Sequence, residues 1–164
     1  MSGEVLKYLL WIYVLSLIPS FEGRYAVLVG IALKLDPIEV FIIASLGVLT
    51  LSLILPKVLP KIDDLMNSLS NSKYSLLKSV SSTYLRYVGR VRSKVRPYIE
   101  KWGFIGLTIF VAIPLPGTGV WTGALAAYIL GFRSRVAIPA LILGGLLSNV
   151  ITLVPALVTS KLIP

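Results

Sequence analysis

The apolar runs of this chain come in two lengths, and one of the two is too short to cross a membrane alone. Residues 5–18, 25–33 and 104–113 are apolar for 14, 9 and 10 residues, whereas residues 38–55 and 136–158 continue for 18 and 23. A helix rises about 1.5 Å per residue and needs about 20 residues to span a hydrocarbon layer of about 30 Å. The two long runs therefore read as transmembrane helices. The short ones are interrupted where they should continue, by PSFEGR (residues 19–24) and by PLPGTG (residues 114–119). Such an interruption inside lipid is tolerated only where protein buries the exposed backbone or where it lines a wet cavity. Each broken run is thus expected to be a re-entrant helical hairpin.

The order of these features is the same in both halves: a broken run, then a long one. Pro19 corresponds to Pro114, Gly47 to Gly144 and Pro56 to Pro155, at separations of 95, 97 and 99 residues. One true span per half makes the second half inverted relative to the first. The expected fold is an all-α integral membrane protein built as an inverted repeat, each half a re-entrant hairpin plus a transmembrane helix. As a single membrane domain it divides into repeat one (residues 1–56), a basic linker (57–101) and repeat two (102–164).

Composition agrees, with 56% hydrophobic and 14% charged residues against about 45–50% and about 25% in ordinary soluble domains. Residues 1–7 hold one acid and one base, and no small-residue cleavage site follows. The N-terminal run is therefore read as structure rather than as a leader. The net charge of +9 is concentrated in the linker, where Lys57, Lys61, Lys73, Lys78, Arg86, Arg90, Arg92, Lys94, Arg96 and Lys101 outnumber Asp63, Asp64 and Glu100. A basic block beside hydrophobic spans points to the cytoplasmic face and to anionic headgroups, not to nucleic acid. With Arg133 and Arg135 on the same side, twelve of the sixteen bases are cytoplasmic and both termini lie outside, in a cell membrane crossed more than once. In the linker Leu77, Tyr84, Val88, Val91 and Val95 recur at helical spacing. Lys78, Arg86, Arg90 and Lys94 fall largely on another face, as in an amphipathic helix lying among headgroups. A solvated helix or a dimer contact gives the same pattern. Residues 68–75 are polar and read as a loop.

Two hairpins entering from opposite faces bring their tips together near the midplane, the geometry of a transport site between inverted repeats. Helices starting after Glu22-Gly23 and after Gly119 would aim free N–H groups and positive dipole ends at the meeting point. Glu22 is the candidate proton carrier and Arg24 the candidate contact to an anionic headgroup; a simple structural pair that closes the first tip is the compatible alternative. In the second tip Pro114 and Pro116 end the first helix, Gly117 and Gly119 permit the turn, and Thr118 is placed to cap the returning helix. Trp121 and Thr122 follow at the start of that helix and complete the second half of the candidate site, residues 114–122, with Trp121 either lining the cavity or filling the core. Gly123, Ala124, Ala126 and Ala127 make the helix thin enough for close packing. Asn149 is a lone amide in the last span, either interhelical glue or a substrate contact. The chain has neither Cys nor His, and no metal cluster or nucleotide loop, so no cofactor and no enzyme activity are expected.

The stretch GFIGLTIFVAIPLPGTGVWTGALAAYILG (residues 103–131) closely resembles the signature of the small multidrug export proteins. IPSFEGRYA (residues 18–26) is similar to that family's first-repeat motif, in which a proline precedes Glu-x-Arg, although Leu28 stands where a second proline is expected. The family in turn resembles the DedA, or VTT-domain, membrane proteins, whose facing re-entrant hairpins are associated with lipid scrambling and polyprenyl-phosphate carrier recycling. The arginines of DedA proteins around the second tip are replaced here by Val111 and Gly117. The resemblance implies membrane transport of an amphiphilic substrate. Three functions follow as expectations: a transporter or scramblase of lipid-like amphiphiles, with Glu22 as the candidate site of proton coupling; a proton-coupled exporter of drug-like molecules; or a non-transporting membrane scaffold acting through the basic linker. A homodimer is compatible with all three.

Overall fold

The computed structural model describes residues 3–19, 21–71 and 74–162, with the side chains of residues 91, 92, 94–102, 161 and 162 excepted. All regular structure among the described residues is helical: α1 (Gly3–Leu17), α2 (Glu22–Ala32), α3 (Pro37–Ser70), α4 (Ser75–Ala112), α5 (Val120–Ile129) and α6 (Ser134–Leu162). Within α4 the backbone leaves helical geometry at Gly103 (φ 53°, ψ −124°), which separates a long basic helix from a short apolar one, Gly103–Ala112. Only a residue without a Cβ adopts that conformation cheaply.

Two helices, α3 and α6, are long and apolar enough to cross a membrane, with mean hydropathies of 2.4 and 2.2 over their best windows. Asp36 starts α3 by accepting the amides of Ile38 (2.9 Å) and Glu39 (3.0 Å), with Pro37 at the first helical position, where its missing N–H costs nothing. From there α3 runs 34 residues, about 51 Å, so its last turns project beyond a layer about 30 Å thick. The sequence reading ended this span at Leu55 and opened a loop at Ser68. Instead the helix passes through Pro56 and Pro60 to Ser70 and α4 begins at Ser75; residues 72 and 73 of the expected loop lie outside the described residues. A proline removes one N–H but cannot by itself stop a helix packed on both sides of it.

The short helices are held by the long ones. Around α5, Val48, Leu51 and Leu55 of α3, Leu107 and Val111 of α4 and Leu141 of α6 form the larger core cluster with Val120 and Leu125. A Cβ at Gly123 would meet the Val111 and Leu141 side chains, so the small residues of α5 are what lets α4 and α6 close around it. Around α2, Ile12, Ala26, Val27, Val40 and Ala44 form the smaller cluster. Outward, α6 shows Leu143, Leu147, Val150, Ile151, Val154 and Val158 about half exposed, one continuous stripe at helical spacing, and α1 shows Leu6, Leu10, Trp11 and Val14. Apolar surface of that extent belongs in lipid rather than water. Along the linker helix the apolar residues differ in exposure, and Leu77, grouped by its spacing with Tyr84 and Val88, is exposed. Tyr84 and Val88 are half-buried, whereas Leu76, Val80 and Tyr87 are exposed near the exposed Arg86 and Arg90; the side chains of Val91 and Val95 lie outside the described residues.

Candidate functional site: a carboxylate and a guanidinium at the junction of two helix breaks

The first helix ends at Leu17 and α2 begins at Glu22, so the break comes before the charges rather than around them. Glu22, Gly23 and Arg24 are therefore not a loop but the first turn of α2, all three buried. Glu22 opens the helix in the left-handed region (φ 52°), a conformation that costs a non-glycine residue on the order of 1–3 kcal/mol and persists only where its surroundings hold it. What holds it is α5. The Val120 amide donates to Glu22 Oε2 at 2.9 Å and the Trp121 amide to Oε1 at 3.0 Å. Gly119 (φ 106°) precedes these amides and supplies no side-chain cap. The first two free donors of α5 are thus satisfied by a carboxylate from the other half of the chain, which also faces the positive end of the helix dipole.

Arg24 completes the junction from the same turn. Its Nη2 donates to the Thr118 carbonyl at 2.7 Å, and its Nη1 donates to Thr118 Oγ1 at 3.0 Å and to the Ile113 carbonyl at 3.3 Å. The Glu22 carboxylate lies 3.9 Å from the guanidinium, and both side chains are at most 5% exposed. Arg24 Nε is buried and has no partner among the described residues, and the guanidinium carbon stands 5.4 Å from the Tyr25 ring centroid. Each half of the ion pair therefore serves the second break as much as it serves its mate. Glu22 holds the N-terminus of α5, and Arg24 holds the turn before it.

Thr118 does not cap α5, contrary to its sequence reading. Its hydroxyl turns back to the Leu115 carbonyl (2.7 Å) and receives Arg24, because Glu22 already occupies the α5 amides. Pro114, Pro116 and Gly117 (φ 86°) form the exposed crest of the turn, and Gly119 is buried against the Glu22 carboxylate. Trp121 donates its indole N–H to the Leu17 carbonyl at 3.1 Å, which ties α5 to the end of α1. Thr122 is buried beside it. Asn149 is 1% exposed, donates to Ser45 Oγ at 3.3 Å and fits against Gly23, where a Cβ would lie 2.5 Å from its Oδ1. That is the interhelical contact of its two sequence readings. Among the described residues no group of three or more acidic, His or Cys side chains could hold a metal.

Beside the junction a groove of about 710 Å³ runs between α2 and the C-terminal part of α6. Its α2 wall is Arg24, Tyr25, Leu28 and Ile31, its α6 wall is Thr152, Pro155, Ala156, Thr159 and Ser160, and Pro114 reaches it from the second turn. Arg24 is the charged residue in this lining. The sequence reading missed Tyr25 and the α6 wall. The available signal was the recurrence of Thr152, Ala156 and Thr159 at steps of four and three within an otherwise bulky apolar span.

No curated protein and no solved structure matches the chain. A family described as "Putative small multi-drug export protein" matches residues 22–151, from the Glu22 that caps α5 to the span carrying Asn149, and the chain belongs to that family.

Proposed function

We propose that this protein is a multi-pass membrane transporter, and that its substrates are amphiphiles bearing an anionic group, bound in the groove between α2 and α6. The observation that carries this reading is the lining: a long apolar trough whose charged residue is a buried arginine, its Nε without a partner among the described residues. An apolar body buried in such a trough gains about 25 cal/mol per Å², and an anionic group is what an arginine at its inner end selects. A cationic drug finds the opposite of what it needs. Glu22 is 4% exposed with both carboxylate oxygens engaged by backbone amides, and Arg24, not Glu22, borders the groove. We read Glu22 as the latch between the two halves rather than as a proton carrier. The family description supports export of drug-like molecules, and lipid-like anions share the same chemistry.

In this reading the chain is an inverted repeat of two re-entrant hairpins. The N-termini of α2 and α5 meet at the Glu22 carboxylate, and the helices run about 16 and 15 Å away from it, which together matches a hydrocarbon layer of about 30 Å. The basic linker faces the cytoplasm and both termini lie outside. Neither enzyme activity nor a cofactor is part of this proposal.

The test is reconstitution of the full chain in liposomes with three fluorescent probes: an anionic phospholipid, a lipophilic organic anion and a lipophilic organic cation. Movement of either anion above protein-free vesicles, lost on Arg24→Gln, is the expected result. Movement of the cation alone, or transport unchanged by Arg24→Gln in a folded variant, would sink the proposal. The two anion arms separate a lipid substrate from a drug-like one.

A further inference from the structure

A second groove, of about 360 Å³, lies at the other end of the molecule, between α5 and the part of α3 that contains Pro56 and Pro60. Ala124, Ala127 and Tyr128 form its α5 wall, and Arg133 and Ser134 stand at its mouth, at the start of α6. Its construction repeats that of the first groove with the halves exchanged. The first groove sets α2 of the N-terminal half against the Pro155 region of the C-terminal long helix. The second sets α5 of the C-terminal half against the Pro56 region of the N-terminal long helix. Pro56 and Pro155 are the counterparts read from the sequence at a separation of 99, and the first residues of α2 and α5 are 98 apart. The prolines have the same chemistry in both walls, since each withholds an N–H from the carbonyl one turn earlier and leaves an acceptor without its helical donor.

The grooves lie toward opposite ends of α6. The first touches α6 from Thr152 onward and the second touches it only up to Ala137, a gap of 15 residues or about 22 Å along the helix. Between them stand the bonds already described, Glu22 to the amides of Val120 and Trp121, and Arg24 to Thr118 and Ile113. Each groove also presents a cation, Arg24 in one and the exposed Arg133 in the other.

We propose that the two grooves are equivalent half-sites of one path, that both bind the same anionic amphiphile, and that the Glu22 and Arg24 contacts are the partition between them. This rests on the reading of the first groove as the transport site. Charge complementarity and the exchange of matching walls, not the size of the cavity, argue for the occupant. The partition consists of side-chain bonds from α2 to the first amides of α5 and to the turn before it, so parting the two breaks by a few ångströms joins the grooves at the cost of the α5 cap.

The absence of cysteine from the chain makes the test direct. Thr159→Cys reports the first groove and Ser134→Cys the second, both at exposed positions where a thiol replaces a hydroxyl. Full-length variants in sealed vesicles of known orientation are labelled with a membrane-impermeant maleimide, with and without the fluorescent lipophilic anion as probe. Labelling of the two thiols from opposite sides is expected. At a probe concentration about ten times its half-saturating value, both should label about tenfold more slowly. Labelling from the same side overturns the inference. Protection of Thr159→Cys without protection of Ser134→Cys overturns it while leaving the first groove as the binding site. Protection at neither removes the transport reading together with it.

Discussion

Glu22→Gln should uncouple α5 from α2, and its cost follows from the geometry of the carboxylate. One Glu22 oxygen accepts the Val120 amide at 2.9 Å and the other the Trp121 amide at 3.0 Å, in a side chain 4% exposed. Hydrogen bonds to a charged group contribute about 1.5–3 kcal/mol each. Glutamine keeps one acceptor and turns an NH2 toward the other amide, so one bond is lost and two donors face each other. The charge 3.9 Å from Arg24 disappears as well, and removing one member of a buried pair costs about 3–5 kcal/mol because the other stays buried. These contributions overlap, and a net loss of about 3 kcal/mol is expected, on the order of a hundredfold in the unfolding equilibrium. Reversible unfolding in mixed micelles, followed by tryptophan fluorescence, measures the total. Amide exchange locates it: Val120 and Trp121 should lose about two decades of protection while Ala140 and Leu141, in the middle of α6, stay as they are. Glu22→Asp retains the charge but is one methylene short of reaching both amides, and should fall between. If Glu22→Gln unfolds within about 0.5 kcal/mol of the parent protein, or if the α5 amides keep their protection, the carboxylate is not what holds α5.

Three further outcomes test other parts of the fold. Gly119→Ala adds a Cβ that runs into the Glu22 carboxylate at φ 106°, and should destabilise by about 3 kcal/mol in the same micelle assay, more than alanine at the open Gly89. Gly23→Ala puts a Cβ 2.5 Å from Asn149 Oδ1 and should cost about 2 kcal/mol. Combined with Asn149→Ala the cost should shrink by at least half, a coupling that a double-mutant cycle reads directly. The Tyr84 hydroxyl is pushed up to about 12 by burial and by the nearby Asp63 carboxylate, above the 10.0 it has when exposed. The folded state therefore holds that proton more tightly than the unfolded one. The associated stability is complete below pH 10, declines as pH rises from 10 toward 12, and is absent from Tyr84→Phe; tyrosinate absorbance and alkaline unfolding measure the two sides of this linkage.

The lengths of the apolar runs, measured against a bilayer, determined on their own that two segments are long enough to cross it and that the others are too short. They placed the second turn within a residue or two of Pro114–Gly119, because a bilayer thickness is a fixed ruler and Gly117 and Gly119 are needed wherever the backbone takes positive φ. They did not say which prolines turn the chain. Pro19, Pro114 and Pro116 stand at breaks, whereas Pro56, Pro60, Pro139 and Pro155 sit inside continuous helices. Each of these interior prolines removes one helical N–H, and whether the helix continues is decided by the neighbours that pack on either side of it.

The charges of the first turn were legible as important and illegible in their role. Glu22 and Arg24 were expected to face a substrate or each other, and their nearest partners proved to be main-chain groups of residues 113–121, nearly a hundred positions away. A backbone amide carries no letter in a sequence, so only the tertiary structure could show that α5 begins uncapped and borrows its cap from α2. The groove was hidden for the same reason. Its two walls come from α2 and from the last third of α6, more than a hundred residues apart, and neither becomes a wall until the helices are laid side by side. Hydrophobic length is a property of one segment and is fixed before folding; a junction between two helix ends belongs to a pair of segments and exists only after it.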